Sequence, residues 1–183
     1  YSKSLSAVVA TIDSSPDDGT EGEQDNIIDS ENIIGTSFAD VLVGSDGANS
    51  LIGGAGNDTL DGGAGNDTLE GNNGNDVLLG SGGHDSLVAG LGNDVLTGGT
   101  GRDKMIGDDG DDNFVADDAE IDTIEGGVGI DSVKGETDDV LSDVESTDLD
   151  GPPLPLPGAL PMKLASPIGK SLGMDDEDDI LVM

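Results

Sequence analysis

A nine-residue repeat dominates this chain. From Gly35 the sequence runs without interruption in rows of nine residues to Val115, as in GGAGNDTLD and GGAGNDTLE. A ten-residue row, ADDAEIDTIE, follows, and the unit then returns as GGVGIDSVK before it decays in GETDDVLSD. Glycine concentrates at positions 1, 2 and 4 of each row, an acidic residue at position 6, and one large apolar residue at position 8. A short period of this kind predicts a stack of similar structural units.

The spacing of the apolar residues decides between helix and strand. A helix needs apolar residues every three or four positions, and each interior glycine costs about 1 kcal/mol relative to alanine. The rows instead predict a turn over positions 1 to 6 and then a short strand, in which position 8 points inward and positions 7 and 9 point outward. The inward residues are Leu42, Leu51, Leu60, Leu69, Leu78, Leu87, Leu96, Met105, Phe114, Ile124, Val133 and Leu141. Stacked rows of this type form an all-β, parallel β-solenoid.

The composition indicates that apolar contacts alone cannot hold this stack together. The chain has 183 residues, with 40 acidic against 6 basic residues, a net charge of -34 and 33% hydrophobic residues. A disordered acidic polymer has a similar composition, but disorder requires no fixed period. The charge favours cations as partners and predicts no binding to nucleic acid or to anionic membrane surfaces. No apolar stretch is long enough to span a membrane, and the absence of cysteine excludes disulfides.

Calcium is the cation that suits this pattern. It takes about six to eight oxygen ligands and tolerates irregular geometry, and glycine-rich turns with an aspartate expose such oxygens. The rows resemble the GGxGxDxUx nonapeptide of the RTX (repeats-in-toxin), hemolysin-type calcium-binding repeat proteins. The resemblance covers Gly35 to Lys134 and implies a parallel β-roll, in which backbone carbonyls and position-6 aspartates hold the ions.

The resemblance also implies the calcium ligands. The expected carboxylates are Asp40, Asp58, Asp67, Asp76, Asp85, Asp94, Asp103 and Asp112, with Asp131 in the detached row. The expected carbonyl donors include Gly53, Ala55, Gly62, Ala64, Gly71 and Asn73. Asn49 replaces the aspartate in the second row, and Arg102 and Lys104 flank Asp103, so these rows predict weaker sites. If each ion lies between alternate rows, about five to seven ions bind.

Three regions follow from this pattern. Residues 1–34 are expected to form a strand-rich cap, residues 35–143 the calcium-binding β-roll, and residues 144–183 an irregular acidic, Pro-Leu-rich tail. The final residues, DDEDDILVM, are similar to the C-terminal signals that RTX proteins use for type I secretion. That resemblance implies a secreted, extracellular protein that meets the type I secretion machinery through its tail and folds on binding calcium outside the cell. We expect the chain to be a monomer.

No catalytic residues are predicted within this sequence. The single histidine, His84, lies at a variable turn position, and no zinc-protease motif, nucleophile elbow or phosphate-binding loop is present. Because the chain begins at Tyr1, we expect it to be the C-terminal piece of a longer protein. Two alternatives stay open: a secretion and folding module of a larger extracellular protease, lipase or polysaccharide-modifying enzyme, or a surface or adhesive calcium-binding protein.

Overall fold

A computed structural model describes residues 6–12, 32–135, 139–144 and 146–149. Within these ranges the chain forms strands and turns and contains no helix, so none that could cross a membrane. Most of the predicted cap and most of the predicted tail, including its secretion signal, lie outside the described residues. The strands are β1 (Val9–Thr11), β2 (Asn32–Ile34), β3 (Val41–Val43), β4 (Ser50–Ala55), β5 (Thr59–Asp61), β6 (Thr68–Asn73), β7 (Val77–Gly82), β8 (Ser86–Leu91), β9 (Val95–Thr100), β10 (Lys104–Asp109), β11 (Asn113–Ala116), β12 (Thr123–Val128), β13 (Ser132–Gly135), β14 (Val140–Ser142) and β15 (Ser146–Leu149).

The strands alternate between two parallel sheets. The odd-numbered strands form an eight-stranded first sheet in the order β1-β3-β5-β7-β9-β11-β13-β15, and the even-numbered strands form a seven-stranded second sheet. Each strand therefore pairs with the strand two rows away, and successive rows cross from one sheet to the other. This is the predicted all-β, parallel β-roll, with two rows to each coil.

The core consists of one inward side chain per row. The register pairs Leu42 with Leu60 in the first sheet and Leu51 with Leu69 in the second, so the position-8 residues stack along both sheets. All of the predicted inward residues from Leu42 to Val133 are buried, and Leu141 is partly buried against them. The predicted apolar stripe is confirmed, and it makes a core that is one side chain deep per sheet.

The first strands extend this core toward the N-terminus. Ala10 in β1 lies in register with Leu42, and Ile33 in β2 lies in register with Leu51. Both side chains are buried. At the other end, β15 pairs with β13 and adds a strand beyond residue 143.

The ten-residue row is accommodated without loss of strand alignment. Met105 still pairs with Ile124, and Phe114 still pairs with Val133. The extra residue therefore lies in the turn, where Ala119 adopts a φ of 70°. Because a one-residue slip within a strand would turn every side chain to the opposite face, the turn is the place where an insertion does least harm.

Neighbouring residues of β6 test the assignment of the core. Replacing Leu69, which is fully buried, by alanine is expected to lower the free energy of unfolding by about 2–5 kcal/mol, since it leaves a cavity in the stack. Replacing the adjacent, exposed Thr68 by alanine is expected to change it by less than about 0.5 kcal/mol. Urea unfolding followed by circular dichroism measures both values, and equal costs would contradict the inward orientation of position 8.

Candidate metal centre

The turns between the two sheets stack in two columns, one along each edge of the roll. The first turn column contains residues 35–40, 53–58, 71–76, 89–94, 107–112 and 126–131, and the second contains residues 44–49, 62–67, 80–85, 98–103 and 116–122. Position 1 of each turn continues a strand of one sheet, and position 6 precedes a strand of the other. The same chemical groups therefore recur once per coil along each column.

A ladder of buried aspartates runs through both columns. Oδ1 of Asp76 accepts a hydrogen bond from the backbone N–H of Asp58 at 2.7 Å, and Oδ1 of Asp94 accepts one from Asp76 at 2.6 Å. In the second turn column, Oδ1 of Asp85 accepts the N–H of Asp67 at 2.7 Å. Each aspartate thus ties its own turn to the turn one coil before it, 18 residues earlier.

The second carboxylate oxygen of these aspartates is buried and unused. Among the residues that the structure describes, Oδ2 has no hydrogen-bond partner, although each of these aspartates is at most 3% exposed. Leaving a buried charged oxygen without a partner is costly, and the cost is removed by a cation or by a proton. The residues are Asp58, Asp67, Asp76, Asp85, Asp94, Asp103, Asp112 and Asp122.

Glycine at position 1 keeps open the space beside Oδ2. A Cβ added to Gly80 would lie 2.6 Å from Oδ2 of Asp85 and would also meet the carbonyl oxygen of Gly98 on the next coil. A Cβ added to Gly71 would meet Oδ2 of Asp76 and, at 2.7 Å, the carbonyl oxygen of Ala89. A carboxylate oxygen and a backbone carbonyl therefore converge on a cradle that only glycine leaves empty. A set of oxygen donors of this kind fits a hard cation such as calcium.

Burial also changes the protonation of these groups. It raises the pKa of Asp58, Asp76, Asp85 and Asp112 to about 6. It raises the pKa of Asp122 to about 7, where neighbouring carboxylates add to the effect. Without a cation the ionised turn is therefore disfavoured, even though the ladder hydrogen bonds lower each pKa in part.

The predicted carbonyl donors divide into two groups by position. Gly53 and Gly62 are at position 1, and their carbonyl oxygens face the buried space beside Gly35 and Gly44 on the preceding coil. Gly71 is likewise buried at position 1. The position-3 residues Ala55, Ala64 and Asn73 lie farther out in their turns, and the Asn73 carbonyl accepts the N–H of Gly56 at 2.8 Å. Calcium coordination by all six carbonyls stays a prediction.

The first two rows satisfy position 6 in a different way. Oδ2 of Asp40 accepts the N–H of Thr36 at 2.5 Å and its hydroxyl at 2.8 Å, while Oδ1 accepts the N–H of Val8 at 2.7 Å. In the second row, Oδ1 of Asn49 accepts the N–H of Ser45 at 2.7 Å. The hydroxyls of threonine and serine at position 2 add a donor that glycine lacks, at 2.8 Å from Oδ2 of Asp40 and 3.2 Å from Oδ1 of Asn49. Asp40 differs in this respect from the later predicted carboxylates, and its role as a ligand stays a prediction.

One member of the ladder, Asp122, was not predicted from the sequence. Asp122, in the ten-residue row, is fully buried, and its Oδ1 accepts the N–H of Asp103 at 2.8 Å. Its own N–H donates to Oδ1 of Asp139 at 3.0 Å. The sequence signal that could have identified Asp122 is its spacing to the apolar residue. Asp122 precedes the inward Ile124 by two positions, as position 6 precedes position 8 in the regular rows. Asp131 lies in the same ladder, with its Oδ1 accepting the N–H of Asp112 at 2.9 Å, and its predicted role as a calcium ligand stays a prediction.

A ladder of polar side chains at position 5 flanks the aspartates on the outside. Oδ1 of Asn57 accepts the N–H of Asn75 at 3.0 Å, and the pattern repeats at Asn93. His84 occupies the same position in the second turn column, where its Nδ1 accepts the N–H of Arg102 at 2.8 Å. His84 is exposed, as predicted for a turn residue.

Side chains alone do not form a metal cluster here. Across the described residues, no group of three or more His, Cys, Asp or Glu side chains is arranged to hold a metal ion. The carboxylates are instead spaced one per turn along each column, so backbone carbonyls would have to supply most of the ligands.

Comparison with known protein families agrees with this geometry. A family model described as the RTX calcium-binding nonapeptide repeat matches four times, at residues 34–69, 61–96, 88–119 and 117–139. The matches cover more than half of the chain, and the protein therefore belongs to the RTX calcium-binding repeat family. Its β-roll binds calcium, and RTX repeat proteins are typically secreted by type I systems. A search of curated proteins found no match.

The cradle can be tested with a pair of glycines from one turn. Gly80→Ala is expected to weaken calcium binding because its Cβ would fill the space beside Asp85 Oδ2. In Gly82→Ala the nearest atom to the new Cβ would be 3.4 Å away, an ordinary contact, so binding should change little. The buried Ala89 already occupies position 1 in its own row, which indicates that the fold tolerates a methyl group there.

Calorimetry with calcium measures the effect, and the reverse change, Ala89→Gly, is expected to strengthen binding at the row of Asp94. Unchanged binding in Gly80→Ala would contradict the assignment of the cradle as the cation site.

The raised pKa values predict how the calcium-free chain responds to pH. Folding raises these carboxyl pKa values from the ordinary 3.8 to about 6, so the folded chain binds more protons than the unfolded chain between these values. The stability of the calcium-free fold should be greatest below pH 4 and should fall as the pH rises through about 6. Far-UV circular dichroism in a chelator should show more β signal at pH 5 than at pH 7.5. Equal signals would contradict the burial of ionisable carboxylates.

Proposed function

We propose that this chain is a secreted module that folds when calcium fills its turn columns outside the cell. The observation that carries the proposal is the row of buried Oδ2 atoms without hydrogen-bond partners, each beside a cradle kept open by glycine. Membership of the RTX calcium-binding repeat family identifies calcium as the bound ion. The coupling of binding to folding and the extracellular location are our inference.

The proposed ligands are the carboxylates with a free Oδ2, together with carbonyl oxygens of the stacked turns. Asp58, Asp76, Asp94 and Asp112 would serve the first turn column, and Asp67, Asp85, Asp103 and Asp122 the second. Each bound calcium supplies positive charge beside carboxylates that repel one another along the column. About five to seven ions would serve these stacked turns, and the ligand type follows the usual preference of calcium for oxygen.

The energetic consequence is a large dependence of stability on calcium. Each independent site contributes about 2.7 kcal/mol when free calcium is a hundredfold above its dissociation constant. Five to seven such sites would together contribute about 14–19 kcal/mol. That is as large as the about 5–15 kcal/mol that separates folded from unfolded states in typical domains. Calcium therefore decides whether the roll forms.

The same dependence suits export as an unfolded chain. At low cytosolic calcium the carboxylates of a chain with a net charge of -34 repel one another and oppose compaction. Extracellular calcium modules have dissociation constants of about 10⁻⁴–10⁻³ M. Such sites are empty at low cytosolic calcium and fill outside the cell. We assign export to the type I machinery, through the C-terminal tail, and expect the folded module to be monomeric.

We assign no catalysis to these residues. The position-6 aspartates are engaged in the ladder, and His84 lies exposed with Nδ1 accepting a backbone hydrogen bond. These groups support a binding role more directly than a chemical one.

A calcium titration tests the proposal. We expect far-UV circular dichroism to show a sigmoidal gain of β signal at about 0.1–1 mM calcium, and no comparable gain with magnesium, which prefers a smaller octahedral site. Full β structure at neutral pH in a chelator would overturn folding on calcium. No change with calcium would overturn the proposal as a whole.

A matched pair of variants connects this titration to the turn columns. Asp76→Asn keeps the oxygen that accepts the ladder hydrogen bond from Asp58 but removes the buried charge, and should reduce the number of bound ions and raise the calcium midpoint. Asp46→Asn removes the same charge from an exposed turn residue and should leave both unchanged. Equal effects would indicate that calcium responds only to net charge.

A further inference from the structure

The glycine at position 4 links most regular turns to the turn one coil later. Its backbone N–H donates to the carbonyl oxygen at position 3 of that later turn, at 2.7–2.9 Å. The donors are Gly56, Gly65, Gly74, Gly83, Gly92 and Gly110. A second link lies at position 5, where a side chain accepts the N–H of the next turn, as Oδ1 of Asn57 does for Asn75. These two links, with the aspartate ladder, join the regular turns of each column.

Both links change where the second turn column reaches the ten-residue row. The N–H of Gly101, the position-4 glycine of the preceding turn, donates to a side chain, Oδ2 of Asp118, in place of a backbone carbonyl. Arg102, at position 5 of the same preceding turn, has only donors on its side chain and cannot accept an N–H from the next turn. The enlarged turn therefore needs another acceptor.

The carboxylate of Asp118 supplies the acceptors at this junction. Its Oδ2 accepts the N–H of Gly101 at 2.7 Å, and its Oδ1 accepts the N–H of Glu120 at 2.9 Å. The second bond spans Ala119, whose φ of 70° is uncommon for a residue with a side chain. Hydrogen bonds to a carboxylate are stronger than those between neutral groups. One side chain therefore closes the enlarged turn and attaches it to the turn of Asp103.

We propose that Asp118 is a positioning residue for calcium between the turns of Asp103 and Asp122. This inference rests on the proposed function, in which both of these aspartates bind calcium in the second turn column. Gly101 precedes Asp103 by two residues, so its bond to Asp118 holds the two turns together beside the buried carboxylates. Calcium takes about six to eight oxygens, and neither turn alone supplies that many in a fixed arrangement.

Asp118 acts through geometry and is not itself a ligand. Both of its oxygens already accept backbone N–H groups. Within the part of the chain that the structure describes, no group of three acidic side chains is arranged to hold a metal ion. The charge of Asp118 is nevertheless near enough to raise the pKa of Asp103 and Asp122, after the larger effect of burial. Charge and hydrogen bonding have to be separated by experiment.

Three variants separate them. Asp118→Ala removes the charge and both acceptors, whereas Asp118→Asn removes the charge but keeps one acceptor oxygen. Asp109→Ala is the matched control, because Asp109 also lies at position 3 but accepts the N–H of Gly92 through its backbone carbonyl, at 2.8 Å. In calcium-saturated chains with full β signal, calorimetry should find one fewer bound ion in Asp118→Ala than in the wild type. Asp118→Asn should keep that ion with weaker affinity, and Asp109→Ala should match the wild type.

Amide hydrogen exchange tests the hydrogen bonds directly. In Asp118→Ala the amides of Gly101 and Glu120 should exchange at least about tenfold faster, because both lose their acceptor. In Asp118→Asn one of the two should do so, since asparagine has a single side-chain oxygen. The amide of Gly92 should be unaffected in Asp109→Ala. If Asp118→Ala does not fold, Asp118→Asn still tests the link.

The outcomes distinguish the two proposals. A wild-type number of ions in Asp118→Ala would overturn the positioning role, and equal losses in Asp118→Ala and Asp118→Asn would overturn it in favour of an effect of charge. Unchanged exchange at Gly101 and Glu120 would overturn the link between the turns. A wild-type chain that binds no calcium would instead overturn the proposed function, and with it the role of Asp118 in binding.

Discussion

The burial of a carboxylate in nearly all of the turns is the interaction on which this roll depends. One oxygen of each aspartate ties its turn to the preceding coil, so the side chain helps to build the stack. The other oxygen is buried in the same place without a donor, so the side chain also opposes the stack. Formation of the roll therefore depends on a bound cation or proton, because the ladder forms at low cost only when one of these compensates the second oxygen.

The remaining features serve that constraint. Glycine at position 1 keeps space beside the carboxylate, as at Gly80, and the inward residue at position 8 supplies a core that is thin but unbroken. Most of the charged side chains are thereby placed in the turns, and the large apolar side chains at position 8 lie in the interior. A chain with only 33% hydrophobic residues can fold in this way because no coil needs more than two large buried side chains.

The period alone predicted much of this arrangement. It identified the inward stripe, the alternation of neighbouring residues and the recurrence of an acidic residue at position 6, because each depends only on position within a row. It did not reveal Asp122, since the ten-residue row breaks the count, nor the hydrogen bonds of Asp40 with Thr36, since these depend on a donor at position 2. The link between Oδ1 and the preceding coil was also missed, because it joins residues that only stacking brings together.

The alternation of rows between two sheets limits how such a chain can change length. Deleting or adding a single row would transfer every later row to the opposite sheet, so that the outward side chains of the two sheets would exchange sides from that point on. Deleting or adding a pair of rows, one coil, leaves every later residue on its original side and only alters the length of the roll. Growth by whole coils is therefore the step that preserves the two different faces of this molecule.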